Sequence, residues 1–194
     1  MHTGTLNSTH DPLLRSWVTS AQMADCDFPI QNLPHGVFRR RGSQEPFRGG
    51  VAIGDQVLDL SLAASAGVFE EHVAAAVSAA SASTLNDLMS MGRAAWQPLR
   101  SELSRVLQAG APEALQLSPC LVPQADAEFA LPARIGDFTD FFTSWHHMVN
   151  AGRIFQPDAP PLPNFRWLPL AYHGRSSTVE VSGAAVYRPS GQTR

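Results

Sequence analysis

The side chains best suited to chemistry lie in the run Asp137-Phe138-Thr139-Asp140-Phe141-Phe142-Thr143-Ser144-Trp145-His146-His147. Carboxylates beside histidines can hold a cation or move protons, because imidazole titrates near neutrality and a carboxylate offers hard oxygen donors. The segment from Phe141 to Ala151 reads as a short helix with Asp140 as its N-cap and Gly152 at its end. In a helix advancing about 100° per residue, Asp140 and His147 stand roughly 700° apart, ~20° from eclipsed, and share one face two turns apart. His146 points about 100° away, so the two imidazoles do not converge on one metal. The HExxH spacing of zinc proteases is missing. Taken alone, Asp140 also reads as a plain helix cap and His147 as a hydrogen-bonded structural histidine.

A second cluster, Tyr172-His173-Gly174-Arg175-Ser176-Ser177, follows Pro169 and precedes an expected strand. Tyrosine, histidine and arginine around a glycine suit an anion-binding or active-site loop, and equally a solvated turn. Gly191 and Gln192 form a third, sparser candidate. No GxSxG elbow surrounds Ser176 or Ser177, which excludes a serine hydrolase of that type. All 14 basic residues are arginine, so Schiff-base and P-loop lysine chemistry is excluded. Cys26 and Cys120 lie far apart, form no zinc-like spacing, and read as reduced, partly buried thiols.

Charge points away from nucleic acid. Fourteen basic residues face 17 acidic ones for a formal net charge of −3, and the only basic cluster is Arg39-Arg40-Arg41. No apolar run approaches membrane-spanning length, and Met1 to Asp11 lacks a signal-peptide core. The chain is therefore expected to be soluble and cytoplasmic, with no membrane or nucleic-acid partner.

These clusters need elements to position them. Residues 1–24 read as a polar leader, ragged up to about Arg15. Two prolines and a glycine between Asp25 and Phe38 forbid a helix there. Gly50-Val51-Ala52-Ile53 and Gln56-Val57-Leu58-Asp59-Leu60 flank Gly54-Asp55 and predict a hairpin. Glu70 to Ala80 reads as helix, Ser81 to Thr84 as a break. Leu85, Leu88, Met89, Gly92, Ala95, Trp96, Leu99, Leu103, Val106 and Leu107 then recur at helical spacing, with Thr84 as N-cap and Gly110 as stop. Prolines at 112, 119, 123 and 132 make 111–132 a loop-rich boundary. Gln156 to Pro163 must be a surface loop, and Val179 to Val181 with Ala184 to Val186 suggest a strand pair around Gly183. A tail of that size builds no independent core, leaving Val179, Val181 and Val186 without partners and the segment after Pro132 labile.

The residues carry a resemblance. Asp27-Phe28-Pro29-Ile30-Gln31-Asn32-Leu33-Pro34-His35-Gly36-Val37-Phe38, the run Gly50 to Leu60, and Gly92-Arg93-Ala94-Ala95-Trp96 closely resemble the N-terminal domain of the fumarylacetoacetase family. The segments Asp137 to Gly152, Pro163 to Ser182 and Arg188 to Gln192 are similar to the opening of that family's catalytic domain, in order and at family spacing.

The resemblance implies an α+β, mainly β chain: an N-terminal SH3-like small barrel with helices over 25–132, then the incomplete start of a β-rich catalytic domain over 133–194. It implies hydrolysis of a carbon–carbon bond of 4-fumarylacetoacetate to fumarate and acetoacetate, in tyrosine and phenylalanine catabolism. A divalent ion, Ca2+ or Mg2+, would hold the diketone oxygens as a Lewis acid. By the match, Asp140 is a metal ligand, His147 the general base, and Phe142, Gln156 and Tyr172 are substrate-binding positions. Phe142 stands where the family often has a tyrosine, and Gln156 where it can have an arginine, so a hydroxyl and a charge-assisted carboxylate contact are lost. The family's further metal ligands and the partner that orients its histidine fall beyond Gln192. The 194-residue chain is thus expected to be inactive alone, and the complete enzyme a homodimer. Two other readings stand beside this one: a non-catalytic interaction module docking on full-length subunits, and a related diketone or acylpyruvate hydrolase.

Overall fold

Adjacent Val37 and Phe38 are both fully buried, which places apolar side chains on both faces of His35–Arg40, strand β1; the chain then turns back through β2 (Arg48–Ile53) and β3 (Gln56–Asp59). The computed structural model describes residues 6–188, 190 and 191. Gln192 of the third candidate cluster, and the first five residues of the expected leader, lie outside them. The chain divides into two units, residues 1–134 and 135–194.

The expected hairpin is present, with Ile53 paired to Gln56 across Gly54 and Asp55. Gly54 has φ +59, and a Cβ there would lie 2.2 Å from Ser20 Oγ, so the turn takes glycine on both conformational and steric grounds.

Two further strands, β4 (Leu121–Pro123) and β5 (Ala127–Ala130), complete an antiparallel sheet of order β4-β3-β2-β1-β5. Both come from the segment expected to be loop-rich. Proline density misleads there because β4 is an edge strand, where the N–H that Pro123 lacks need not serve the ladder.

Alternation along the strands buries both faces. Val37, Val51, Ile53 and Leu58 join a main core with helices α1 (Leu60–Ser65), α2 (Ala74–Ala80), α3 (Asn86–Met91) and α4 (Arg93–Leu107). The sheet curls as a half-barrel, and Phe38, Val57, Val122 and Ala127 form a second cluster from the alternate positions. A short helix α5 (Ala114–Leu117) adds Leu117 to the main core.

The single helix expected between Thr84 and Gly110 is two. Gly92, at φ +73, breaks it into α3 and α4, and Leu85 rather than Thr84 precedes α3. The leader is also corrected. Val18 and Ala21 lie in the core, and Ser16 Oγ (2.7 Å) and the Trp17 N–H (3.3 Å) both donate to the Leu107 carbonyl. The segment thereby satisfies an acceptor at the C-terminal end of α4, which lacks an intrahelical partner.

Asp59 joins sheet to helix. Its fully buried carboxylate accepts from the Ser61 and Leu62 N–H groups (3.0 and 3.1 Å), capping α1, and pairs with Arg48 Nε at 2.5 Å. Hydrogen bonding and charge attraction from this carboxylate, with the nearby Glu45, raise the Arg48 pKa against the opposing effect of burial.

In the second unit, β6 (Phe138–Phe142) pairs antiparallel with β7 (Leu170–Gly174), and α6 (Trp145–Phe155) follows β6. None of the residues in these three elements is buried. Asp140 is therefore not a helix cap, and its proposed helical alignment with His147 does not exist, because the two residues belong to different elements. Ser144 takes the cap position. The stretch 179–186 contains a turn and no strand, and Tyr172 to Gly174, expected in a loop, are strand residues. Across the described residues α-helix exceeds strand, so the fold is mixed α/β rather than mainly β. No helix among them is long and apolar enough to cross a membrane, and both cysteines are free.

Candidate functional site

Strand alternation puts Phe138, Asp140 and Phe142 on one face of β6. Asp140 lies directly opposite Tyr172, and Phe142 opposite Leu170. Directly opposed residues share a face, so the Tyr172 hydroxyl reaches across and donates to Asp140 Oδ2. Asp140 Oδ1 accepts from the Phe141 N–H at 2.7 Å. The tyrosine bond, then this backbone bond, holds the Asp140 carboxyl below the usual carboxylate range, and the carboxylate in turn raises the Tyr172 phenol.

Two residues separate β6 from α6, and Ser144 Oγ accepts from the His147 N–H at 3.4 Å. That turn brings the His147 ring over Phe142, with centroids 4.7 Å apart and planes 15° from parallel. Phe142 also meets Tyr172 at 5.8 Å and 44°. Asp140, Tyr172, Phe142 and His147 thus form one contiguous row of carboxylate, phenol, phenyl and imidazole, all but the partly covered Phe142 exposed to solvent.

Gln156 is placed apart from this row. It follows α6 and lines a cleft of about 560 Å3 with Arg153, Trp145 and a proline-rich loop. His173 points to the other face of β7, where Nε2 lies 3.0 Å from Asp137 Oδ1. Sequence reasoning missed Ser144, although a serine immediately before a helical run is the usual N-cap signal.

Among the described residues no three or more His, Cys, Asp or Glu side chains gather to hold a metal. Asp140 contributes one exposed carboxylate. It is the right kind of donor for a hard divalent cation, and one of the roughly six to eight oxygens such an ion takes.

Fold and site together define a mixed α/β domain with a curled antiparallel sheet, followed by a strand pair and helix that present a carboxylate, a phenol and an imidazole on one surface. A family model described as "Fumarylacetoacetase N-terminal" matches residues 31–132. The chain belongs to that family. It is 49% identical over 187 residues to a fumarylacetoacetase of Oryza sativa subsp. japonica, covering 92% of this chain and 43% of the relative. It is 44% identical over 178 residues to the fumarylacetoacetase of Homo sapiens (88% and 41%) and 40% identical over 185 residues to that of Arabidopsis thaliana (93% and 43%). The chain spans less than half the length of these relatives.

Proposed function

We propose that this chain is the N-terminal part of a fumarylacetoacetase, a hydrolase that splits 4-fumarylacetoacetate into fumarate and acetoacetate in tyrosine and phenylalanine breakdown. The observation that carries the proposal is the row itself: Asp140, Phe142, His147 and Tyr172, drawn from two strands and a helix, meet on one surface. His147 accepts a proton from water, and the resulting hydroxide adds to a ketone carbon. The adjacent carbon–carbon bond then breaks, and its electron pair leaves on acetoacetate as an enolate, which takes up a proton. Tyr172 binds substrate through its hydroxyl, and Phe142 walls the site. Gln156 offers an uncharged amide to a substrate carboxylate.

Asp140 would hold a divalent ion, Ca2+ or Mg2+, together with donors outside these 194 residues. When bound, such an ion stabilises negative charge on the diketone oxygens. The sheet order β4-β3-β2-β1-β5 supports an SH3-like reading of the front domain. We further propose a cytoplasmic homodimer for the complete protein.

The test uses the complete protein that contains this segment, assayed for fumarate release from 4-fumarylacetoacetate. His147→Ala is expected to lower kcat about 10²- to 10⁴-fold. Turnover by the variant at the unmodified rate would overturn the assignment of the base. Phe142 and Gln156 favour a second reading, a related diketone or acylpyruvate hydrolase. A higher kcat/KM on acylpyruvates than on 4-fumarylacetoacetate would select it.

A further inference from the structure

The corner between α3 and α4 leaves a space in the front unit. Gly92, at φ +73, turns the chain between the two helices, and the Trp96 indole N–H reaches back across the corner to the Leu88 carbonyl at 2.6 Å. That carbonyl lies in the last turn of α3, where helical N–H groups run out. The bond satisfies the one polar atom of the indole and fixes the ring, so the surface that Trp96 still presents is apolar. The ring forms one wall of a hollow of about 290 Å3, completed by His35, Leu85, Leu88, Met89 and Leu99.

The walls decide what fits. Leu85, Leu88 and Leu99 are buried, whereas Met89 and Trp96 are half-exposed and stand at the mouth. An apolar cavity of about 150 Å3 already takes benzene, so the roughly 290 Å3 here has room for a substituted single ring. A stable protein interface buries about 800 Å2 on each partner, far more than two half-exposed side chains supply, which favours a small molecule over a macromolecule. A flat ring suits the fixed indole, against which it can lie offset or edge-on.

None of the six wall side chains is charged at neutral pH, because burial lowers the His35 pKa from 6.5 to about 4. A carboxylate or an ammonium group entering here would lose hydration without meeting a counter-charge, so the occupant is neutral. His35 is the polar member of the wall that the protein leaves unpaired. Its Nδ1 is closed off from solvent without a hydrogen-bond partner, so Nε2 is the nitrogen that can meet an occupant. A neutral imidazole offers a donor or an acceptor there according to its tautomer, and a hydroxyl answers either. We propose that this hollow binds a small neutral molecule of one aromatic ring bearing a hydroxyl, with the ring against Trp96 and the leucines and the hydroxyl on His35. The site belongs to the front unit and is independent of the hydrolase reading of the second.

The probes are 4-methylphenol and 1,4-dimethylbenzene, which match in shape and differ in the hydroxyl. Binding is followed by NMR at the Met89 methyl, the Trp96 indole protons and the His35 ring protons, in the 194-residue chain and in the complete protein. 4-Methylphenol is expected to move all three sets of signals with a Kd on the order of 0.1–1 mM, as suits a ligand of its size. 1,4-Dimethylbenzene is expected to bind about three- to tenfold more weakly, the effect of one hydrogen bond. In His35→Phe the two probes are expected to bind alike within about twofold, since the apolar walls remain and the polar partner is gone. Signals that stay in place at about 2 mM 4-methylphenol would overturn the site. Equal affinity for the two probes in the unsubstituted chain would overturn the pairing with His35. Shifts present in the 194-residue chain and absent from the complete protein would show that another segment fills the hollow, which also overturns the site.

Discussion

Replacing His35 with phenylalanine should flatten the stability of the front domain against pH between about 6.5 and 4. His35 opens β1 and forms part of the wall of a hollow of about 290 Å3 lined also by Leu85, Leu88, Met89, Trp96 and Leu99. Its Nδ1 is buried without a hydrogen-bond partner, and burial lowers the ring's pKa from 6.5 to about 4. Between those values the unfolded chain binds a proton that the folded chain does not, so folding stability rises with pH. The contribution is complete above about pH 6.5, and it is lost as the pH falls to about 4. With about 1.4 kcal/mol per unit of pKa difference, the loss amounts to about 3 kcal/mol. Urea unfolding at half-unit pH steps, for the unsubstituted chain and His35→Phe, gives a difference curve that isolates this residue from the carboxylates. The hollow leaves room for the slightly larger ring, and phenylalanine also removes the unpaired nitrogen. Curves that stay parallel within about 0.5 kcal/mol from pH 7 to 4 would refute the reasoning.

Two further outcomes concern the same domain. Asp59→Ala removes the α1 cap and leaves Arg48 beside an empty buried position, so thermal or urea unfolding should report a loss of about 3–5 kcal/mol, with Asp59→Asn losing less. A loss under about 1 kcal/mol would contradict the picture of a buried, doubly used carboxylate. Gly54→Ala meets both a positive φ and the Ser20 hydroxyl, and should destabilise by at least about 1–2 kcal/mol; an unchanged melting temperature would show that the turn relaxes freely.

How much of this was legible in the residues depended on how local the signal was. The β2–β3 hairpin was readable because Gly54 and Asp55 sit between two alternating runs, and the turn chemistry and the pairing lie within a dozen residues. The edge strands β4 and β5 were not, since their partners β3 and β1 are distant in sequence and the prolines in and around them, Pro119, Pro123 and Pro132, resemble loop punctuation. The α3–α4 break turned on one backbone angle at Gly92, and its periodicity continues on both sides. At the site, the residue types Asp140, Phe142, His147 and Tyr172 stand out in the sequence, but the geometry linking them does not. Phe141, Phe142 and Trp145 have spacing that suits a helix as well as a strand, and Ser144 decides between them by starting the helix after it. The pairing of Asp140 with Tyr172 joins residues 32 apart, which no local pattern encodes.

The strand order of the front domain also sets a folding sequence. Arg39 and Glu128, which pair across β1 and β5, are separated by 89 residues, and Ser16 reaches Leu107 across 91. β1 to β3 can form early, but the curled sheet gains its outer strands only after the intervening helices have compacted the chain enough to bring 121–130 back. Loop closure over such separations is entropically slow, which places refolding of this domain on the millisecond-to-second scale of non-local β architectures. On a ribosome, β1 and β3 would expose unpaired edges throughout the synthesis of some 60 residues of helix and turn, an interval in which a chaperone or a neighbouring nascent chain could pair with them.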